Sequence, residues 1–140
     1  MAAMKTLREF VALSQAHYHA VKLALDVKQA TASGDTERIA AAAERVVGQM
    51  AGELEAHFRL EETLLLPAMK EAGHAGMTSR ALVEHRLMRE AAASLAMPSA
   101  SLLESFADLL LSHVRFEEEQ VFPAARGCLD DDTLAAIAAY

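Results

Sequence analysis

HFRLEETLLLP, from His57 to Pro67, returns as HVRFEEEQVFP, from His113 to Pro123. Five of the eleven positions are identical (the histidine, the arginine, both glutamates and the proline), and four more pair one apolar residue with another. In each copy the histidine and the first glutamate stand four residues apart. In a helix that spacing stacks an imidazole and a carboxylate on one face, about one turn apart. Two such pairs can converge on a metal ion.

The face they share sharpens the reading. Helical counting brings Val47, Met50, Leu54, Leu60, Leu64 and Leu65 beside His57, and Leu102, Leu103, Phe106, Leu109, Leu110, Phe116 and Val121 beside His113. Glu61 and Glu117 therefore fall on apolar stripes. An unpaired buried carboxylate costs several kcal/mol, so each needs a partner or a cation. Two further histidines stand on comparable faces: His85, with Leu82, Met88, Ala92 and Leu95, and His17, with Phe10, Leu13, Val21 and Ala24. The order along the chain is His, His-x-x-x-Glu, His, His-x-x-x-Glu, so each half offers the same three ligands.

Around these residues, 140 residues with 53% hydrophobic content suit one domain spanning 1–140 with a real core. Alanine and leucine dominate, and Gly, Pro and aromatics are few, which predicts an all-α protein. The formal charge of −7 disfavours nucleic acid or an anionic membrane as partner. No stretch approaches a membrane span of about 20 apolar residues, and the N-terminus lacks the apolar core of a signal peptide. Cys128, the single cysteine, has no thiol to pair with in the chain. These features predict a cytoplasmic protein. A homo-oligomer is compatible with the sequence but not indicated by it.

Punctuation predicts four long helices. The first runs from about Lys5 to Ala30 and stops at Gly34, with Asp35 or Thr36 capping the second. The second runs from about Thr36 to Ala72, bent by Pro67 and closed by Gly73 to Gly76. A third begins near Thr78 or Ser79 and ends before Pro98, where Ser99 gives a fresh N-cap. The fourth reaches about Arg126, and Asp130 to Asp132 can start a short C-terminal helix. Short connections argue for an antiparallel up-down-up-down four-helix bundle. His17 and His57 are 40 residues apart and His85 and His113 only 28, so the first hairpin should overhang the second or carry the longer loop.

The residues resemble the hemerythrin-like, or HHE cation-binding, domains, over nearly the whole chain. That family is built on a four-helix bundle with the ligand order found here, and the resemblance implies His17, His57, Glu61, His85, His113 and Glu117 as metal ligands. The glutamate doublets Glu61-Glu62 and Glu117-Glu118, with the prolines that follow, also look like the family's. One departure matters: oxygen-carrying hemerythrins bear a second histidine four residues along the third helix, and here that position is Arg89. An iron pair would then draw on His19, on Glu62 or Glu118, or on water.

Imidazole and carboxylate without thiolate suit iron, manganese or zinc, and the resemblance implies iron. Six ligands serve one octahedral ion, or two ions sharing the glutamates. The expected function is that of a non-haem iron protein with one or two Fe that binds, senses or handles iron, dioxygen or nitric oxide. Two alternatives stand beside it: a di-iron redox enzyme, peroxidase-like or nitric-oxide-reducing, and a structural module held by a metal such as zinc. The sequence offers no nucleophile with an adjacent base and no phosphate loop. His74, between glycines, is expected at the surface, Tyr18 in core or interface packing, and Met50, Met69, Met77, Met88 and Met97 as filler or loop residues.

Overall fold

Residues 8–140, described by a computed structural model, form helices joined by short links, with no strand among them. After a 3-10 turn, Arg8–Phe10, α1 spans Val11–Ser33. The long α2 (36–71) consists of α-helical Thr36–Gln49, Glu55–Leu60 and Leu66–Glu71 with wider π turns between them, at Met50–Leu54 and Glu61–Leu65. α3 is Ala75–Ser94, and α4 (100–128) is Ala100–Phe116, a π turn Glu117–Val121, and Phe122–Cys128. A short α5, Asp131–Ala139, follows. α1 packs along α4 and α2, and α4 along α3, while α5 closes one end against Arg8–Phe10 and the Glu61–Leu65 turn. The expected up-down-up-down bundle with a C-terminal helix is the observed fold.

The boundaries follow local chemistry. Gly34 adopts a left-handed φ of 68°, which ends α1 by sending its N–H back to the Thr31 carbonyl. Asp35 caps α2, its Oδ1 accepting from the amides of Glu37 and Arg38 at 2.9 and 3.2 Å. Ser99 and Asp130 cap α4 and α5 in the same way. The first connection is only Gly34 and Asp35, so the unequal spacing of the histidines lies in longer helices, and the first hairpin overhangs. Lys5, the expected start of α1, lies outside the described residues.

Three boundaries differ from the sequence reading. α1 continues to Ser33, whose hydroxyl satisfies the Ala30 carbonyl, and α4 runs on to Cys128. α3 starts one turn before Thr78 because the Thr78 amide bonds to the His74 carbonyl, while its buried hydroxyl donates to the Leu66 carbonyl of α2. Val47 is exposed although helical counting put it beside His57. Counted at about 100° per residue, Val46 lies only about 20° around the helix from His57 and Val47 about 80°, so Val46 takes the inner place and is fully buried. Leu82 and Leu102 lie at the exposed margins of their stripes, and Tyr18 projects into solvent.

The other two π turns begin at Glu61 and Glu117 and end just before Leu66-Pro67 and Phe122-Pro123. A proline has no N–H for the carbonyl four residues back and its ring crowds that carbonyl, so the turn ahead of it opens. The repeated proline thus explains a repeated local widening immediately after each candidate ligand pair. Apolar residues form two clusters along the bundle: one around Leu23, Val46, Phe106 and Leu110, the other around Phe10, Leu66, Met69 and Phe122. Among the described residues no helix is long and apolar enough to cross a membrane.

Candidate metal centre

All six residues of the repeated pattern point inward and are buried: His17 from α1, His57 and Glu61 from α2, His85 from α3, His113 and Glu117 from α4. They form two groups of four whose donor atoms lie within 4.8 Å of one another, His17 with His57, Glu61 and Glu117, and His85 with His113, Glu61 and Glu117. The two glutamates are common to both. Glu117 Oε1 lies 2.8 Å from His17 Nε2 and 3.4 Å from His57 Nε2, and its Oε2 lies 3.3 Å from His113 Nε2. Glu61 mirrors it, with Oε2 3.1 Å from His57 Nε2 and Oε1 2.9 Å from His85 Nε2.

The donor set fits a cation. Glu61 Oε2, Glu117 Oε2 and His113 Nε2 are buried without a hydrogen-bond partner, although a nitrogen or oxygen stands 3.1 to 3.3 Å from each. Atoms that close but misaligned for hydrogen bonds suit donors converging on a point between them, since adjacent ligands each about 2.1 Å from a metal sit about 3 Å apart. His17 Nε2 and His57 Nε2, 3.1 Å apart, have the same relation.

The second glutamate of each doublet has a different task. Glu118 Oε2 accepts from His17 Nδ1 at 2.6 Å while Glu117 faces Nε2 of the same ring, and Glu62 Oε2 accepts from His85 Nδ1 at 2.7 Å while Glu61 faces its Nε2. Each doublet therefore clasps one imidazole of another helix by its two opposite nitrogens. Ser14 Oγ donates to Glu118 at 2.8 Å. Arg89 donates to both oxygens of Glu62, at 2.9 and 3.2 Å, and to both of Glu55, at 2.8 and 3.0 Å. The residue standing where a further histidine was expected holds the carboxylate that orients His85. Glu62 and Glu118 thus touch ring nitrogens opposite the shared glutamates. His19 points outward to the exposed Glu53, 2.9 Å away, and joins neither group.

Other contributors escaped the sequence reading. Glu84 Oε1 accepts from His113 Nδ1 at 2.7 Å and is itself held by Arg80 at 2.9 Å, whose guanidinium lies over the Phe116 ring. The signal was a glutamate directly before His85, about 100° around the helix and so aimed at α4 instead of the axis. Phe58 stacks on His85 and Phe122 on His17, with ring centroids 4.0 and 5.2 Å apart. Neither was singled out, because each reads as ordinary core. His74 is half-buried at the start of α3; Met50, Met69 and Met88 are buried and Met97 exposed.

Electrostatics bind the layer together. Burial disfavours charged imidazole, but Glu61 and Glu117 overcome it at His57 and raise its pKa to about 10. His113 is likewise raised to about 10 against its burial, by Glu117 and Glu84. His17 is raised, with Glu117 and Glu118 outweighing desolvation. Glu117, though fully buried, is held well below the usual carboxylate range by His113, His17 and His57. Glu62 and Glu84 are lowered despite partial burial, by Arg89 and His85 and by His113 and Arg80 respectively.

A helical bundle that aims imidazoles and carboxylates from all four helices at its axis has the architecture of the metal-binding bundles. The family model described as the hemerythrin HHE cation-binding domain matches residues 8–125, and the chain belongs to that family. Neither the curated proteins nor the solved structures yielded a significant match.

Proposed function

We propose that this protein is a non-haem iron protein whose centre takes two ions and presents them to a small diatomic ligand, dioxygen or nitric oxide. The observation that carries the reading is the pair of four-residue groups sharing Glu61 and Glu117. In this reading His17 and His57 would hold one ion and His85 and His113 the other, with Glu61 and Glu117 available to both. Two ions coordinated by only six side chains keep positions for outside ligands, since iron accepts more than four donors. Iron would supply reversible coordination of a diatomic molecule and one-electron redox chemistry.

The chain's own residues set the conditions for that chemistry. Glu118, Glu62 and Glu84 fix three imidazoles with Nε2 toward the centre, which orients the rings and raises their basicity. Phe58 and Phe122 cover two of the imidazoles and keep the centre dry. Replacing the absent histidine by Arg89 leaves six ligating side chains, a more open set than an oxygen carrier's. The family match supports cation binding, and the imidazole and carboxylate donor set is compatible with iron.

Metal content per chain after low-oxygen purification tests the reading, followed by visible absorption on adding air or nitric oxide. About two irons with a spectral change on gas addition are expected. Zinc, with no spectral change, would overturn it in favour of a metal-held structural module.

A further inference from the structure

The four imidazoles are not treated alike. His17, His85 and His113 each give Nδ1 to a carboxylate at 2.6 to 2.7 Å, whereas Nδ1 of His57 is buried with no partner among the described residues. Aligning the two halves on their histidines explains the difference. His57 corresponds to His113 and His17 to His85, and the matched positions have the same burial from 13 and 81 to 17 and 85 except at Ser14 and Leu82. Glu84, the partner of His113 Nδ1, then corresponds to Ala16. Arg80, which holds Glu84, corresponds to Ala12, and Phe116, on which Arg80 lies, corresponds to Leu60. Each counterpart is smaller, and the acceptor and its cation are both gone.

The missing volume is present as a cleft. An open cavity of about 250 Å³ lies between α1 and α2, and Ala12, Ala16, His57 and Leu60 all line it. We propose that this cleft is a binding site for a small monocarboxylate, which takes the place at His57 Nδ1 that Glu84 takes at His113. With Nε2 turned to Glu61 and Glu117, or to a metal, Nδ1 is the ring's remaining donor, and a buried donor needs an acceptor. Among the described residues no acceptor meets it. Glu53 lines the cleft one turn before His57, but both its oxygens face His19 Nδ1, at 2.9 and 3.1 Å.

Other walls suit the same ligand class. Leu13, Ala56 and Leu60 offer apolar surface to a short alkyl tail, and the Gln15 amide and Tyr140 phenol stand on the lining where the second carboxylate oxygen needs a donor. His19 Nδ1 faces both oxygens of Glu53 beside the incoming anion. At about 250 Å³ the cleft has room for a short-chain acid. The inference builds on the metal-centre reading only in its consequence: an acceptor on Nδ1 strengthens His57 as a ligand.

The test is an acetate titration followed by the imidazole ¹H–¹⁵N resonances of His57, on the metal-free and the zinc-loaded chain. A saturable shift of the Nδ1 signal is expected, half-complete at about 1 mM, the range open to a ligand of four heavy atoms. Acetamide, of the same shape without charge, should shift it at least tenfold less effectively. Ala16→Glu should show the shifted signal without acetate and no response to it; Ala16→Leu, which fills the cleft without an acceptor, should show neither. No saturable shift in the wild type, or an undiminished response in Ala16→Leu, overturns the proposal. Failure to load zinc counts against the metal-centre reading alone, because the metal-free chain still reports acetate.

Discussion

The His85/His113 side of the centre and the His17/His57 side use the same ligands at the same helical positions, yet only the former is fully braced. Around His85 and His113, both Nδ1 atoms meet carboxylates that are themselves held by Arg89 and Arg80. Around His17 and His57, one Nδ1 meets Glu118, steadied by a serine hydroxyl, and the other meets nothing. Duplication of a ligand pattern therefore does not duplicate its support. What surrounds a ligand decides how firmly it is held, and the two ion positions should differ in affinity although their donor atoms are equivalent.

The largest effect should come from disabling both sides at once. His57→Ala together with His113→Ala takes one imidazole from each side and should abolish stoichiometric metal binding while leaving a helical, less stable bundle, as read by metal analysis and circular dichroism. Unchanged metal content would remove the basis of the comparison. A broad pH effect should follow in the metal-free chain. His57 and His113 hold their protons up to about 10 in the fold, against an ordinary 6.5, so they stabilise fully below about pH 6.5 and lose that contribution as pH rises through 10. Chemical denaturation across that window should show falling stability, and metal, which displaces those protons, should reverse the trend.

The comparison itself is tested by loading one equivalent at a time. The His85/His113 position should fill first, with an affinity about 10- to 100-fold above the other; equal affinities in a calorimetric titration would break it. Glu84→Gln keeps a hydrogen-bond acceptor but removes the charge on His113, and should narrow the gap by roughly tenfold. The smallest effect belongs to His19→Ala, since His19 faces the half-exposed Glu53 outside both groups. Its metal load should equal that of the wild type, and loss of half the metal would show that it has been assigned the wrong role.

Much of this was legible in the chain. The duplicated His57–Pro67 and His113–Pro123 segments, the apolar stripes and the Gly34, Asp35 and Ser99 signals led to the bundle, because periodicity and capping are local properties. The six inward residues were legible for the same reason. Glu84 and Arg80 were not, since their task is set by which helix faces α3, a tertiary fact absent from the spacing on α3 itself. Val47 misled because it lies about 80° around the helix from His57, at the margin of the stripe, where Val46 at about 20° holds the inner place.

The π turns at Glu61–Leu65 and Glu117–Val121 act on the chain as built-in phase corrections. Counted as a plain α-helix from His57, Leu66 would fall about 180° away, on the solvent side, yet it is buried, as is Phe122 at the same distance from His113. Each wide turn absorbs one residue and brings the downstream leucines, phenylalanine and Met69 back onto the inner face. Inserting a second extra residue between Glu61 and Pro67 would therefore behave like a reading-frame error in three dimensions, keeping the aim of the ligands before it while turning the apolar end of the bundle toward water, whereas deleting one residue would let the turn close to an ordinary α turn with both sides in phase.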